Sequence, residues 1–359
     1  MVAMSDLTVV TQTMLKELRR CPMRVYWRYI RELVPFERDA DLYFGTFIHE
    51  CQEIWHETHD SGAVQQHIDW SCDGRADNND INIMWHKATA MMLGYAVRWP
   101  ADNENFTVTA CEQSFNVPII NPETGKPSRT FVLAGKVDRI ANYQDKTWLM
   151  EFKTAANIDE VYLDKLSNDF QSRVYKVGYT RETGQHVGGV IYDVLEKSQL
   201  KMKAGETEEE FQIRYAELCA KNKSGKSTAT RNLPESNADY QGRLRDAYTN
   251  PKKFHRAFLY FSADKIHQVE AEIWMLTQQF MVMRRNNWFS QNDDSCFMWQ
   301  KRCPYYLLCH TNDPEPEIAL NFEYKSAHSE LEETGNEFIA PTTPPVVGST
   351  NWNVCKLKI

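Results

Sequence analysis

The 359-residue sequence contains no apolar run long enough to cross a lipid bilayer. Its first residues also lack the basic-then-apolar order of a secretory signal. We therefore expect a cytoplasmic protein without a membrane partner. Disulfides are rare in that compartment, so the nine cysteines are expected to be thiols, and their spacing becomes the informative property.

An excess of positive charge is also missing, since the formal net charge is −8, which at first sight argues against a nucleic-acid partner. Residues 311–340 hold eight acids and one lysine, or −7, so the rest of the chain is near neutral. Residues 197–256 carry 13 basic residues against eight acids. Because local basic patches set the phosphate footprint, the charge is compatible with DNA binding without arguing for it.

A phosphate-binding P-loop is absent as well. The sequence SGKST at residues 224–228 matches only the end of that motif, because position 220 is alanine and no strand precedes it. We interpret it as a basic loop within a charged insertion at residues 197–250.

What is present is a predicted β-hairpin. Residues 131–141 and 147–154 are rich in β-branched and aromatic residues and flank a polar break. If Gln144 and Asp145 form a two-residue loop, paired residue numbers sum to 289. Asp138 then lies opposite Glu151, with Cβ atoms about 5 Å apart. Lys153 lies two residues further along and points to the same face.

This hairpin would bring two carboxylates and an ammonium together. Two carboxylates so close repel each other unless a cation lies between them, and a hard ion such as Mg²⁺ or Mn²⁺ prefers oxygen ligands. A nearby lysine can position or deprotonate a water molecule. The alternative interpretation is a surface hairpin with a cross-strand salt bridge.

Residues 8–31 are predicted to form a helix that Pro22 interrupts. Its basic residues are interleaved with aromatic ones. In one interpretation the helix is amphipathic and its arginines are solvated. In the other, Arg24 and Arg28 contact the phosphates of a DNA strand.

Two further helices carry polar residues of interest. His49 lies beside the apolar stripe of a predicted helix at residues 41–59, where a structural histidine is the ordinary interpretation. Gln171 and Tyr175 are four apart in a predicted helix at residues 157–183 and therefore share a face. Alone, such a pair is typical of a core tyrosine with a solvated glutamine.

Three cysteines, Cys296, Cys303 and Cys309, lie within 14 residues, and Cys21 lies far away in sequence. This arrangement favours four-thiolate metal coordination over a local disulfide loop. A four-cysteine zinc site and four buried free thiols are the alternatives.

The hairpin motif, Gly135-x-x-Asp138 followed by Glu151-x-Lys153, resembles the core of the PD-(D/E)XK nuclease superfamily in its RecB-like exonuclease branch. Gly45-x-x-x-His49 before it and Gln171-x-x-x-Tyr175 after it match that branch in order. The resemblance implies a restriction-endonuclease-like α/β core, with a central mixed β-sheet flanked by helices.

It also implies a metal-dependent DNA exonuclease acting on single strands or DNA ends. The expected roles are Mg²⁺ or Mn²⁺ binding by His49, Asp138, Glu151 and the carbonyl of Phe152, water orientation by Lys153, and strand positioning by Gln171 and Tyr175.

The cysteine layout resembles that of AddB-type nucleases and CRISPR-adaptation exonucleases, in which one cysteine before the core and three after it bind a [4Fe–4S] cluster. The gap between Cys296 and Cys303 is longer than the two residues expected. Two alternatives remain: a non-catalytic iron–sulfur DNA-binding subunit working with a helicase or recombination partner, and a metal-cluster scaffold or redox protein.

The expected organisation is a nuclease domain at residues 1–310 and an acidic tail containing proline and threonine at residues 311–359. Within the domain we expect a helical part at 1–100, a catalytic sheet core at 106–196, a basic insertion at 197–250, and a strand, helix and cysteine clasp at 253–310.

Overall fold

The computed structural model of the protein describes residues 7–36, 40–72, 79–100, 107–298 and 301–332. Its amino-terminal elements are β1 (Thr8–Thr11), α1 (Gln12–Arg20), α2 (Pro22–Val25), a π-helical turn (Tyr26–Ile30), β2 (Leu33–Pro35), α3 (Ala40–Thr58), α4 (Ser61–Cys72) and α5 (Asn79–Arg98). The central elements are β3 (Thr107–Ile120), β4 (Pro127–Tyr143), β5 (Lys146–Ala155), α6 (Glu160–Ser167), α7 (Phe170–Thr183) and β6 (Gly189–Glu196). The remaining elements are α8 (Glu208–Lys221), α9 (Asn237–Tyr248), β7 (Phe254–Leu259), α10 (Ala263–Arg285), α11 (Tyr306–His310), α12 (Glu315–Asn321), β8 (Phe322–Tyr324) and α13 (Ser329–Glu332).

A central sheet of six strands has the order β1-β4-β5-β6-β7, and β3 also pairs with β4. The β1–β4 and β5–β6 pairs are parallel and the others antiparallel. The predicted mixed α/β fold is therefore confirmed. The prediction of helix from residue 8 was wrong, because β1 consists of four β-branched residues that suit a strand.

The hairpin of β4 and β5 has the predicted register, from Tyr143 opposite Lys146 to Arg139 opposite Met150. Gln144 and Asp145 have φ angles of 50° and 57°, as a type I′ turn requires. The paired ladder ends at Arg139 and Met150. Beyond it, residues 131–134 of β4 pair with β1, while β5 continues beside β6. We call this parting of β4 and β5, where Asp138 and Glu151 lie, the fork.

Helices cover the sheet through two separate cores. One core joins the sheet to α1, α7 and α10, and the other joins α3, α4, α5 and α9 to the ends of β6 and β7. The helices α3 and α7 therefore approach the fork from different cores.

Part of the chain beyond the predicted domain end at residue 310 packs on the amino-terminal part. The strand β8 pairs with β2, and Ile318 and Phe322 are buried against Trp27 and Tyr305. The acidic composition of this stretch led to the prediction of a tail, although a few of its apolar residues are covered by the amino-terminal part. The rest of the predicted tail, residues 333–359, lies outside the described residues.

Within the part predicted to be helical, Ser61–Cys72 forms α4, with Val64 and Ile68 buried. Among the described helices, none is both long and apolar enough to cross a membrane.

Candidate active site

Asp138 is held at the fork by a backbone and a side-chain partner. One carboxylate oxygen, Oδ2, accepts a hydrogen bond from the backbone N–H of Phe152 (3.0 Å) and lies 2.8 Å from Nε2 of His49. Burial disfavours its charge, but His49, Lys153 and the Phe152 N–H outweigh burial and lower the pKa of Asp138 to about 2. Asp138 is therefore ionised at neutral pH.

Glu151 has the opposite electrostatic character. Its side chain is fully buried, and Oε2 accepts hydrogen bonds from Gln171 Nε2 (2.8 Å) and Lys153 Nζ (3.4 Å). No hydrogen-bond donor among the described residues reaches Oε1. Burial and the nearby Asp138 charge raise the pKa of Glu151 well above its ordinary value. A buried carboxylate oxygen without a donor beside an ionised aspartate is a cation-binding arrangement.

Lys153 and Gln171 complete this group. The ammonium of Lys153 also donates to Oε1 of Gln171 (3.1 Å), so the amide joins the lysine to Glu151. Burial would lower the pKa of Lys153, but the charges of Glu151, Asp138 and Asp169 outweigh it and raise the pKa. Gln171 lies in the first turn of α7, whose N-cap is Asp169. The helix start thus aims the amide at the fork.

Tyr175 lies one turn further along α7. Burial, followed by the charges of Glu151 and Asp138, raises the pKa of its hydroxyl well above the ordinary value. Its ring packs edge-on against Phe115, with centroids 5.9 Å apart. The structure thus brings both predicted strand-positioning residues to the fork.

The motif glycines make room for this packing. A Cβ on Gly135 would lie 2.5 Å from the Phe115 ring, and one on Gly178 would lie 2.2 Å from it. Gly45 brings α3 close to β5, since its Cβ would lie 3.3 Å from Oγ1 of Thr154. Because His49 is one helical turn after Gly45, this close approach delivers its imidazole to Asp138.

The pKa of His49 follows from that placement. Burial opposes the charged imidazole, but the adjacent Asp138 carboxylate more than offsets burial and raises the pKa. The imidazole of His49 also packs edge-on against Phe152, at 5.4 Å between centroids.

Sequence reasoning missed Glu112. A carboxylate oxygen of Glu112, a nitrogen of His49 and an oxygen of Asp138 all lie within 4.8 Å of one another, so these groups could share a metal ion. Glu112 pairs with Lys136 and has a left-handed φ of 50°. The flanking pairs, Cys111 with Arg139 and Gln113 with Val137, place it opposite Asp138. A register sum of 250 for β3 and β4 would have identified it.

A match to the PD-(D/E)XK nuclease superfamily covers residues 9–310, most of the chain. The chain belongs to this superfamily. Among solved structures, the chain is similar to one described as "Crystal structure of SSO0001", with 14% sequence identity, 69% of this chain and 77% of that chain covered, and a TM-score of 0.25. A comparison with curated protein sequences finds no match.

This member of the superfamily also has its four predicted cluster ligands lining one small pocket, which we call the cysteine pocket: Cys21, Cys296, Cys303 and Cys309. Cys21 lies between α1 and α2, and the other three follow α10. The N–H of Cys303 donates to the carbonyl of Cys296 (2.7 Å), which closes the unexpectedly long gap between them.

Side-chain donors point at two of these sulfurs. Arg24 Nη1 donates to Sγ of Cys303 (3.2 Å), and Trp27 Nε1 donates to Sγ of Cys309 (3.3 Å). Such donors stabilise thiolates. Among the described residues, no three cysteine sulfurs lie within 4.8 Å of one another. A tetrahedral zinc ion with Zn–S bonds of about 2.3 Å needs sulfurs about 4 Å apart.

The two arginines predicted to contact DNA make intramolecular contacts. The guanidinium of Arg24 binds Glu17 and Cys303 and its side chain is only 15% exposed, so its predicted phosphate contact does not fit this placement. Arg28 donates to the carbonyls of Lys325 (3.3 Å) and Ser326 (3.2 Å). Its phosphate contact stays a prediction.

Proposed function

We propose that the protein is a metal-dependent DNA exonuclease that hydrolyses phosphodiester bonds at its fork, on single strands or DNA ends. The observation that carries the proposal is the fully buried Glu151, one of whose oxygens has no donor among the described residues, beside the ionised Asp138. A helicase or recombination partner remains an expectation from the RecB-like resemblance.

The residues at the fork fit a divalent ion. Asp138, Glu151 and the backbone carbonyl of Phe152 offer oxygens, and His49, once its imidazole is deprotonated, offers a nitrogen that suits Mn²⁺ better than an all-oxygen site does. Glu112 is an additional ligand candidate because it lies with His49 and Asp138. When bound, such an ion supplies polarisation of the scissile phosphate and stabilisation of the leaving 3′-oxygen.

The chain's own groups handle the water and the strand. The ammonium of Lys153 holds the attacking water, and its position is fixed by hydrogen bonds to Glu151 and Gln171. Tyr175, supported by Phe115, lines the same space and positions the strand. Gln171 therefore acts mainly as a positioning residue for Lys153 and Glu151.

The test is digestion of end-labelled single-stranded and double-stranded DNA with Mg²⁺ or Mn²⁺. We expect mononucleotide or short products from ends, no cleavage of closed circles, and loss of cleavage in Asp138→Ala and Lys153→Met. Lys146→Met removes an exposed lysine of the same strand and is the matched control. Cleavage of circles would contradict exonuclease action, and unchanged cleavage by Asp138→Ala would contradict the assignment of the fork.

We also propose that the cysteine pocket holds a [4Fe–4S] cluster with a structural role. Support comes from four thiols that line one pocket and from side-chain donors to two of the sulfurs. Iron and zinc analysis with visible absorption of anaerobically purified protein tests it. Four irons per chain are expected, and one zinc per chain would contradict it.

A further inference from the structure

We propose that an arm formed by residues 203–235 holds the phosphate backbone of DNA several nucleotides from the cleavage position. The contacting groups are Lys221, Lys223 and Lys226 at its tip. This inference rests on the proposed function, because it assumes that DNA is the substrate.

The arm projects from the body of the protein. Its helix α8 has no buried residue in 14 residues, which corresponds to a length of about 21 Å. The chain is anchored on both sides of the arm, since Leu200 and Met202 before it and the helix α9 after it pack in the core that contains α3. Its apolar residues Phe211, Tyr215 and Leu218 are only partly buried and Ile213 is 65% exposed, so no hydrophobic core holds this helix in place.

Polar contacts fix the conformation of the arm. Thr207 and Glu210 form a capping box at the start of α8. Both oxygens of Glu206 accept hydrogen bonds from Arg214, at 2.8 and 2.5 Å. Tyr215 donates from its hydroxyl to the carbonyl of Ser227 (3.1 Å), which ties the returning strand to the helix. The tip is therefore presented in a defined place.

Charges are segregated along the arm. Three acids near its base pair with arginines: Glu206 with Arg214, Glu208 with Arg231, and Glu235 with Arg243. The stretch 218–234, which includes the tip, contains no acid. Lys221, Lys223 and Lys226 are exposed, and among the described residues no carboxylate pairs with their ammonium groups. The tip thus carries uncompensated positive charge.

The ordinary explanation of lysines at this position is the helix dipole, which favours cations at a helix C-terminus. That effect falls off within the last turn. It accounts for Lys221, the last residue of α8, but not for Lys223 and Lys226, which lie beyond the helix end. A phosphate backbone can pair with all three ammonium groups because its negative charges repeat along the strand.

The experiment measures DNA binding against salt concentration in the Asp138→Ala background, which prevents cleavage. The arm variant carries Lys221→Gln, Lys223→Gln and Lys226→Gln. The control carries Lys126→Gln, Lys146→Gln and Lys265→Gln, which remove the same charge from exposed lysines elsewhere. We expect the slope of log K against log salt to fall in magnitude by about 2 to 3 in the arm variant and to change little in the control.

Equal slopes in the arm variant and the control would overturn the inference and leave the proposed nuclease intact. If the protein without any substitution shows no metal-dependent cleavage of DNA, the proposed function is overturned instead. The two failures are therefore distinguishable.

A length series locates the contact. Since α8 spans about 21 Å and a strand of B-form duplex rises about 3.4 Å per nucleotide, the helix spans about six nucleotides of duplex DNA. The affinity difference between arm variant and control should be absent on the shortest DNA that binds and should appear as the DNA lengthens. A difference of equal size at every length would contradict a remote contact.

Discussion

The fork and the cysteine pocket each bring several ionisable side chains close together, but different parts of the chain form them. The fork concentrates opposing charges in a single hairpin and the helix ends beside it, and one carboxylate oxygen there has no donor among the described residues. The cysteine pocket joins two ends of the chain, and side-chain donors already point at two of its sulfurs. This difference is what the two proposals require, namely an exchangeable divalent ion at the fork and a permanently bound structural cluster in the cysteine pocket.

The largest expected effect is a loss of cleavage activity after a substitution at the fork, which the same kind of change in the cysteine pocket should not cause. Glu151→Gln keeps the side-chain volume but removes a metal-binding charge, so we expect cleavage to fall by on the order of a thousandfold. The same change should raise the unfolding free energy of the metal-free protein, because it removes a buried carboxyl group whose charged form is disfavoured by burial and by Asp138. Cleavage rates and thermal unfolding in EDTA measure both. A variant that is less active and also less stable would contradict the electrostatic part of the account.

The next expected effect is a loss of stability without a loss of cleavage activity. Cys303→Ser in the cysteine pocket should lower the melting temperature by about 10 °C or more, because a structural metal contributes directly to folding. Cleavage per folded molecule below the transition should persist. Cys219→Ser, at a half-exposed position in α8, is the control. Loss of cleavage without loss of stability would mean that the pocket takes part in the chemistry.

A smaller effect tests the packing beneath the fork. Gly135→Ala places a methyl group against the Phe115 ring, so we expect destabilisation of about 1–3 kcal/mol from overpacking. Gly242→Ala is the control, since nothing lies within 4 Å of its added Cβ. Chemical denaturation measures the difference. Equal stability of the two variants would show that the ring moves aside freely.

The smallest effect is a pH dependence. The pKa of Glu151 is raised on folding, so the metal-free protein loses stability as pH rises above the ordinary range of a glutamate, about 4.3. The pKa of Asp138 is lowered to about 2, so its contribution is lost as pH falls below the ordinary aspartate range. Melting temperatures in EDTA between pH 5 and 8 should therefore decline more in the unchanged protein than in Glu151→Gln. Parallel profiles would contradict the raised pKa.

The hairpin and its register could be predicted because Gln144 and Asp145 fix a two-residue turn and every pairing follows from it. The general α/β fold was implied by the resemblance of the hairpin and helix motifs to the PD-(D/E)XK superfamily. Glu112 could not be found in the same way, because irregularities in the β3–β4 register and its left-handed backbone interrupt the simple alternation of a strand.

Long-range contacts were the other limit. The sequence does not indicate that Arg24 binds Cys303, since that contact joins residues 279 positions apart. Short strands present a similar limit, as β1 and β8 contain only four and three residues and depend on partners elsewhere in the chain.

The most direct test of the central claim is calorimetric titration of Mn²⁺ into the metal-free protein in buffers of different ionisation enthalpy, which yields affinity and released protons together. The account predicts that the unchanged protein binds the ion and releases more protons per ion than Glu151→Gln, which should bind more weakly. Equal affinity and equal proton release in the two proteins would show that Glu151 does not hold the ion.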